Sequence, residues 1–302
     1  MLSHAFRAMG TTITLYGPDS ADFAAAASLT EAAFESEEQR FSRFRPDSEL
    51  SLVNRSAGRS TTVSEGFAEV TRLALAAADR TGGLFDPTVL HALEDAGYDR
   101  DLDLVLEGAP ASRAPLPLPV THRGSGPRSV RIQGNTLTLP QEVGLDFGGI
   151  AKGWTADRAA DAAAAILGWA MVAAGGDMRL SFSPTYPPEG MVVAIDDPQN
   201  DGEVLTHLTL ESGALATSST LRRRWGPGLH HIIDPRRSLP SRTGVLQATA
   251  WGANCAEAEV NAKWALLAGR SILDRVGALL LMESGEIITN LPCGVAPGEE
   301  TA

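Results

Sequence analysis

Cysteine, basic charge and long apolar runs are all scarce in this chain of 302 residues. Its two cysteines, Cys255 and Cys293, have no metal-ligand spacing, and the sequence leaves open whether they form a disulfide. The formal net charge of −12 argues against nucleic acid and anionic membrane surfaces as partners. No apolar run approaches the roughly 18 residues that a membrane-spanning helix needs, so we expect no membrane insertion.

The N-terminus lacks the basic segment and apolar core of a secretory leader, and no lipobox cysteine precedes Met9. We therefore expect a cytoplasmic protein from the sequence as it stands, and an extracytoplasmic one if a leader has been removed. The composition, with 43% hydrophobic and 21% charged residues, fits a globular protein that buries a sizeable core. We expect one domain over residues 1–302, or two subdomains divided by an exposed, proline-rich connector at about 109–128.

Missing motifs exclude three familiar sites. No G-x-G-x-x-G follows a strand, so the fingerprint of a Rossmann dinucleotide site is missing. Gly148 and Gly153 have the outer spacing of a Walker A loop, but Lys152 precedes the last glycine and no Ser or Thr follows in register. The G-x-S-x-G elbow of the α/β-hydrolases is missing too.

Local patterns predict an α+β fold with mainly antiparallel sheets flanked by helices. The alternating residues 11–16 are predicted to form a strand, and residues 129–139 a hairpin that turns at Gly134-Asn135. Helices are predicted over residues 22–39, 63–80, 155–167 and 256–267. Strand candidates joined by short turns between residues 170 and 251 favour antiparallel pairing over a parallel sheet.

The most informative segment runs from Asp146 to Trp154, with the sequence Asp-Phe-Gly-Gly-Ile-Ala-Lys-Gly-Trp. Glycine lets the backbone approach a ligand closely, and the helix predicted to follow adds unpaired N–H groups and the positive end of its dipole. These features predict an anion site, whose usual guest is phosphate. The alternative is a tight strand-to-helix turn with one surface lysine.

Four other clusters carry polar groups that serve either a ligand or a turn. They are residues 82–88, 173–177, 216–219 and 230–235. Asp86-Pro87 is common turn chemistry, and the glycines Gly175 and Gly176 either admit a ligand or make a sharp bend. In the last cluster an imidazole is well suited to move protons near neutral pH, although a histidine in a strand is often structural.

Taken in order, these segments resemble the bacterial FAD:protein FMN transferases, the flavin transferases that attach FMN to acceptor proteins. The resemblance extends from about residue 6 to residue 270. The matching pieces are Met9-Gly10-Thr11, Phe41 to Phe44, Ser48 to Leu50 with Asn54, Phe85 to Thr88, Asp146 to Asp157, Ala174 to Asp177, Thr217-Ser218 and His231 to Pro235.

The resemblance implies a flavin-transferase-like fold, FAD as the substrate, Mg²⁺ as the metal, and an acceptor protein whose Thr or Ser hydroxyl receives FMN while AMP leaves. It also implies that His231 takes the proton of the acceptor hydroxyl, with Asp234 as a second catalytic residue. The positions matching FAD-binding residues are Met9, Phe44, Leu84, Phe85, Asp86, Gly148, Lys152, Trp154 and Ile233.

The metal ligands depart from the family pattern. The resemblance assigns them to the Ala151 carbonyl and to a late helix, where the family has an Asp and, four residues on, a Thr. This chain has Glu259 and Lys263 at those positions. Glutamate can still bind Mg²⁺, whereas an ammonium group repels it. Either the metal is retained, or Lys263 pairs with Glu259 and supplies positive charge at the phosphates; a plain surface ion pair is the third reading.

A second, smaller departure is Ser238, where the family commonly has glycine after Asp-Pro. The departures leave two alternatives to an active transferase. One is a FAD-binding protein that has lost transfer, and the other is a FAD pyrophosphatase, in which water replaces the acceptor hydroxyl.

Overall fold

The structure is a computed structural model that describes residues 1–108, 126–185 and 190–291. Cys293 and most of the predicted connector at 109–128 lie outside the described residues. No helix among the described residues is both long and apolar enough to cross a bilayer. Two compact units are present. The first comprises Met1–Phe34, Lys152–Leu221 and Gly244–Ala302, and the second Glu35–Ala151 and Arg222–Thr243.

Seven α-helices and two short 3₁₀ helices occur in the described residues. The α-helices are α1 (Phe23–Phe41), α2 (Glu49–Arg55), α3 (Glu65–Arg80), α4 (Leu90–Asp95), α5 (Leu102–Gly108), α6 (Ala151–Leu167) and α7 (Cys255–Ala268). The 3₁₀ helices are Pro127–Ser129 and Gly269–Ile272.

Seventeen strands occur in the described residues. They are β1 (Leu2–Ala8), β2 (Thr11–Gly17), β3 (Ser60–Thr62), β4 (Arg131–Gln133), β5 (Thr136–Thr138), β6 (Trp169–Ala174), β7 (Asp177–Phe182), β8 (Met191–Asp196), β9 (Val204–Leu210), β10 (Gly213–Ser219), β11 (Arg224–Gly226), β12 (Leu229–His230), β13 (Ile233–Asp234), β14 (Leu239–Pro240), β15 (Val245–Gly252), β16 (Ala278–Met282) and β17 (Ile287–Thr289).

An eight-stranded antiparallel sheet forms the centre of the first unit. Its order is β1-β2-β6-β7-β10-β15-β16-β17, and every neighbouring pair runs antiparallel. Helix α7 packs on this sheet against β10 and β15, which explains why nearly all of its side chains are buried. The predicted α+β class with antiparallel sheets is confirmed.

Helices and small sheets build the second unit. It contains α2 to α5, a three-stranded sheet in the order β3-β5-β4, and the two-stranded pairs β11-β12 and β13-β14. Three phenylalanines, Phe41, Phe67 and Phe147, meet edge to face or stacked with ring centroids 5.4–5.9 Å apart. Their contact forms an aromatic core beneath helix α3, which buries Phe67.

Most local predictions are confirmed where a short-range signal controls the backbone. Ser64 caps α3 by accepting a hydrogen bond from the Phe67 N–H. The helix ends at Arg80, and its C-cap Thr81 precedes two glycines of positive φ. The predicted hairpin forms β4 and β5, with Gln133 opposite Thr136. Helix α2 was not predicted, because its seven residues are too few to show a helical period.

Helix α6 begins at Ala151, four residues earlier than predicted, because its first turn packs against the start of α7. A Cβ atom at Gly153 would lie 2.6 Å from the Cys255 carbonyl oxygen, so only glycine fits there. One turn later, the Asp157 carboxylate accepts hydrogen bonds from the N–H groups of Cys255 and Ala256, at 2.6 and 3.0 Å. Asp157 therefore fixes the N-terminus of α7 to α6 and complements its dipole.

Replacing Asp157 should change how stability depends on pH. Burial raises the pKa of Asp157 from 3.8 to about 6, so between these values the folded protein holds a proton that the unfolded chain has released. This group therefore makes the native protein less stable as the pH rises through that window. The Asp157→Asn variant lacks this titrating group. The difference between its free energy of unfolding and that of the native protein should therefore rise, in the variant's favour, by up to about 3 kcal/mol between pH 4 and pH 7.

Urea unfolding at several pH values, followed by tryptophan fluorescence, measures this difference. Asp47→Asn, at an exposed carboxylate, is the matched control and should keep a constant offset from the native protein. An equally constant offset for Asp157→Asn would contradict the assignment.

Candidate functional site

The predicted site residues occur in both units. In the first unit, the glycines Gly175 and Gly176 form the two-residue turn between β6 and β7, where Ala174 pairs with Asp177. A Cβ atom at Gly175 would lie 2.0 Å from the Thr11 Oγ1 atom. The glycines therefore make a sharp bend, and this bend brings Asp177 to the end of the sheet.

Asp177 and Glu259 meet at one ammonium group, that of Lys152. The Lys152 Nζ atom donates to Asp177 Oδ2 in a short hydrogen bond and to Glu259 Oε1 at 2.6 Å. Lys263, one helical turn beyond Glu259 on α7, places its Nζ atom 3.9 Å from the same Oε1 atom. Both carboxylates are buried, whereas the Lys152 and Lys263 side chains are 14% and 18% exposed. We call these four residues the lysine–carboxylate cluster.

The sequence contains no other lysine. Of its 25 basic residues, 23 are arginines, and the two lysines both lie on Glu259. An ammonium group is a compact point charge with three donors, whereas a guanidinium is a planar fork. The cluster is therefore the one part of this acidic chain where two ammonium groups converge.

Opposite charges in the cluster favour the ionised forms of Lys152 and Glu259. Burial alone would lower the pKa of Lys152, but the charges of Asp177 and Glu259 outweigh it and raise that pKa. Burial alone would also raise the pKa of Glu259, yet Lys152 and Lys263 together lower it. Burial raises the pKa of Asp177, which Lys152 only partly offsets. Glu259 is therefore the carboxylate that stays ionised most firmly.

Several N–H groups of the glycine segment donate hydrogen bonds within the protein. The Gly148 N–H donates to Asp146 Oδ1 at 2.9 Å, and the N–H groups of Ile150 and Ala151 donate to the Phe147 carbonyl oxygen. The Gly153 N–H donates to Glu259 Oε2 at 3.0 Å. An anion does lie at the start of α6, but it is the protein's own Glu259 carboxylate. A phosphate at this position stays a prediction.

The cluster does not fit the predicted Mg²⁺. All four oxygens of Asp177 and Glu259 accept a hydrogen bond, from Lys152, the Gly153 N–H or the Thr217 N–H. Mg²⁺ requires near-octahedral oxygen ligands at about 2.1 Å, and two ammonium groups beside the same carboxylates repel it. Within residues 1–108, 126–185 and 190–291, no three His, Cys, Asp or Glu side chains are grouped to hold a metal.

Two further predicted FAD-binding residues, Met9 and Trp154, belong to the first unit. Met9 occupies the turn between β1 and β2. Its φ of 50° is a left-handed backbone conformation that is rare for residues other than glycine. Trp154 is buried in α6, and the Arg158 guanidinium lies 4.8 Å from the centre of its ring. Strain of this kind concentrates at functional sites, which fits a ligand role for Met9.

In the second unit, Arg43 connects two pieces of the predicted site, Phe44 and the glycine segment, with Tyr98. Its guanidinium lies 4.2 Å from the ring centroid of Phe44 and 4.3 Å from that of Tyr98. The Arg43 Nε atom lies 3.0 Å from Asp146 Oδ2, at the start of the glycine segment. Tyr98 in turn stacks on Trp225 with centroids 5.0 Å apart. Phe44 is therefore held at the edge of an aromatic and cationic stack.

Ile233 belongs to the same apolar cluster as this stack. The cluster contains Tyr98, Trp225 and Leu229, and Phe44 packs against it. Two of the predicted FAD-binding residues, Phe44 and Ile233, thus come together. Arg43, Tyr98 and Trp225 were missed as site residues, although Arg43 lies inside the recognised Phe41 to Phe44 segment.

The turn after α3 holds three further predicted residues. Phe85 is buried, and its N–H donates to Thr81 Oγ1, while Leu84 is half-buried. The Asp86 Oδ1 atom accepts from the N–H and the hydroxyl of Thr88, at 2.7 and 2.6 Å. The geometry of Asp86 is that of an ordinary Asx turn. A FAD contact by these residues stays a prediction.

The two adjacent histidines differ in their surroundings. His230 is 5% exposed, its Nε2 atom lies 3.1 Å from the Ser241 carbonyl oxygen, and its Nδ1 atom accepts from the Ile232 N–H. These bonds fix the tautomer with the proton on Nε2, and burial lowers the pKa of His230, so it is a neutral structural residue. His231 is only half-buried. Of the two, His231 is the one suited to proton transfer.

The hairpin that follows carries Asp234. Arg236 binds both Asp234 carboxylate oxygens, with Nε to Oδ1 at 2.9 Å and Nη2 to Oδ2 at 2.8 Å. Burial alone would raise the pKa of Asp234, but Arg236 outweighs it and lowers that pKa. Ser238 adopts a φ of 52°, which explains physically why glycine suits this position. A direct role of Asp234 in the reaction stays a prediction.

Comparisons with known proteins agree with the sequence resemblance. The chain is 32% identical over 238 residues to a FAD:protein FMN transferase of Rhodobacter capsulatus, a match that covers 74% of this chain and 42% of that relative. The chain thus spans less than half the length of the Rhodobacter protein. It is 29% identical over 298 residues to the FAD:protein FMN transferase of Vibrio cholerae serotype O1, covering 92% of this chain and 83% of the relative.

Solved structures share the fold. The ApbE protein of Thermotoga maritima matches with a TM-score of 0.79 at 24% identity, covering 95% of this chain and 96% of that one. The flavin transferase ApbE from Vibrio cholerae matches with a TM-score of 0.75 at 22% identity, covering 98% and 96%. The predicted flavin-transferase-like fold is confirmed.

A family model described as the ApbE family matches residues 9–278, which is most of the chain. This chain therefore belongs to the ApbE family.

Proposed function

We propose that this protein transfers FMN from FAD to a hydroxyl group of an acceptor protein. The observation that carries the proposal is the match to the ApbE family along residues 9–278, because relatives along that match are named FAD:protein FMN transferase. The half-buried His231, beside the structurally fixed His230, supplies the side chain that the chemistry requires.

The reaction is an in-line phosphoryl-type transfer. The oxygen of a Thr or Ser hydroxyl on the acceptor attacks the phosphorus of the FMN half of FAD. The new phosphoester bond forms as the pyrophosphate bond breaks, the bridging oxygen leaves with AMP, and His231 takes the hydroxyl proton. Such transfer depends on positioning and on positive charge near the phosphate oxygens, rather than on covalent intermediates with the enzyme.

The cationic and aromatic groups described above suit a flavin dinucleotide. In the second unit, Phe44 is half-buried and packs on an apolar cluster whose members Ile233, Tyr98 and Trp225 are buried, so Phe44 is the ring of this group that can stack against a flat ligand. In the first unit, Lys152 and Lys263 carry the ammonium groups, whose N–H donors suit phosphate oxygens. Mg²⁺ is implied by resemblance to the family, but the hydrogen bonding of Glu259 does not fit it.

A labelled transfer assay tests the proposal. The protein is incubated with FAD and two acceptor sources, a bacterial protein extract and the acceptor of the Vibrio cholerae relative. In-gel flavin fluorescence, AMP chromatography and mass spectrometry of the modified acceptor should give a covalent FMN on Thr or Ser and one AMP per FMN. The Vibrio enzyme with its own acceptor is the positive control.

Two outcomes would contradict the proposal. AMP release that needs no acceptor would identify a FAD pyrophosphatase. Tight FAD binding with neither AMP nor labelled protein, while the control enzyme works, would identify a FAD-binding protein that has lost transfer.

Replacing the half-buried histidine should separate transfer from binding. His231→Ala removes the proton acceptor, so the transfer rate should fall by roughly 10²- to 10⁴-fold while the FAD dissociation constant stays unchanged. Stopped-flow transfer and flavin fluorescence titration measure the two quantities. His207→Ala, at an exposed histidine of β9, is the matched control and should behave like the native protein. A His231→Ala variant that transfers at the native rate would rule out this role.

Replacing the strained Met9 should separate a ligand contact from a structural one. Glycine adopts the left-handed turn without strain, so Met9→Gly should keep or slightly raise the melting temperature. Loss of the side chain should nevertheless weaken FAD binding by about three- to tenfold. Ser238→Gly relieves the same kind of strain in another hairpin and should leave FAD affinity unchanged. Equal FAD affinities for the native protein, Met9→Gly and Ser238→Gly would show that the Met9 side chain does not contact the ligand.

A further inference from the structure

The lysine–carboxylate cluster raises the question of what supplies positive charge to the pyrophosphate. In the family pattern that position belongs to a metal held by a carboxylate and a hydroxyl on one helix face. Here the same helix face carries Glu259 and Lys263, and Lys152 approaches Glu259 from α6. The charge that a metal would bring is therefore already present as two ammonium groups.

We propose that this protein binds FAD and transfers FMN without a divalent metal, with Lys152 and Lys263 supplying the positive charge at the pyrophosphate. The inference rests on the proposed function, since it concerns the same substrate. Lys152 is anchored between Asp177 and Glu259 and has little freedom to move. Lys263 lies 3.9 Å from Glu259 Oε1 and is the more exposed of the two, so it is the group that contacts the phosphate oxygens.

Three observations support this assignment over a metal site. The oxygens of Asp177 and Glu259 all accept hydrogen bonds from N–H donors of the protein. The residue at the hydroxyl position, Lys263, offers no lone pair to a metal. The chain otherwise uses arginine for its positive charge, yet both positions beside Glu259 carry the compact ammonium group.

The competing explanation is structural. In that case the lysines only neutralise the buried Glu259, and a metal binds elsewhere or not at all. A structural role predicts that changes at Lys263 alter stability but leave FAD affinity and its dependence on Mg²⁺ unchanged. The two explanations therefore separate in a binding experiment that does not depend on transfer.

The first measurement uses the native protein. FAD binding is titrated by flavin fluorescence after treatment with EDTA and again in millimolar Mg²⁺. We expect the two dissociation constants to agree within about twofold. An affinity that falls about tenfold or more in EDTA and returns with Mg²⁺ would overturn the inference but leave the proposed function intact. If FAD bound under neither condition, the proposed function and this inference would both fail.

Two substitutions at one position then separate charge from ligation. Lys263→Met and Lys263→Thr both remove the ammonium, so each should weaken metal-free FAD binding by about tenfold or more. Only the threonine restores an oxygen ligand, so only Lys263→Thr should regain affinity when Mg²⁺ is added. Arg270→Met, at an exposed cation of the same unit, should leave FAD affinity unchanged. Native affinity in both Lys263 variants would overturn the inference.

NMR of the lysine side-chain nitrogens tests the proposal on the native protein, so it does not depend on whether a variant folds. Because the chain has two lysines, ¹⁵N-lysine labelling gives two ammonium signals, and both report on the cluster. FAD should shift the Lys263 signal in the presence of EDTA, and Mg²⁺ alone should shift neither. A shift of both signals by Mg²⁺ alone would show that the metal enters the cluster and would overturn the inference.

Discussion

The buried carboxylate of Glu259 is the interaction on which the first unit depends. A charge inside an apolar helix face costs several kcal/mol unless it is paired and hydrogen-bonded. Lys152, the Gly153 N–H and Lys263 together provide that compensation, and Lys152 also binds Asp177. The Lys152 side chain thereby joins the start of α6, the turn between β6 and β7, and the middle of α7. The sharp bend at Gly175 and Gly176 and the close approach at Gly153 follow from this meeting of three elements.

The same interaction determines what the site can bind. A glycine-rich helix start is a general anion site. In this protein the anion bound there is the Glu259 carboxylate, which accepts from the Gly153 N–H. The cluster has two ammonium groups and two carboxylates, so positive charge reaches its exposed side only through the lysines. A pyrophosphate placed there would meet Lys263 before it met Glu259. Under the proposal above, an ammonium group takes the place of the metal in the family's chemistry.

Short-range features of the fold could be predicted from the sequence because they depend on a few adjacent residues. The Ser64 cap, the glycine stop after Thr81 and the hairpin at Gly134 are set by backbone geometry that particular residues favour. The start of α6 could not be predicted, because an N–H group of its first turn, that of Gly153, donates to Glu259, more than a hundred residues away. Neither could α2, which is too short for a hydrophobic period.

For the site, the sequence shows the motifs but not the partners of their side chains. Arg43 was visible inside a recognised segment, yet its position between Phe44 and Tyr98 depends on tertiary packing. The i, i+4 spacing predicts that Lys263 pairs with Glu259. The structure confirms this pairing, with the Lys263 Nζ atom 3.9 Å from Glu259 Oε1. That Lys152 approaches the same carboxylate was not predictable, because no local pattern links the start of α6 to the middle of α7.

A crystal structure of the protein with FAD, grown in Mn²⁺ and measured at the manganese absorption edge, tests the central claim most directly. The account predicts FAD pyrophosphate oxygens within hydrogen-bonding distance of the Lys263 ammonium and no manganese beside Glu259. Anomalous density for manganese bound to Glu259, with Lys263 displaced from the phosphates, would contradict it.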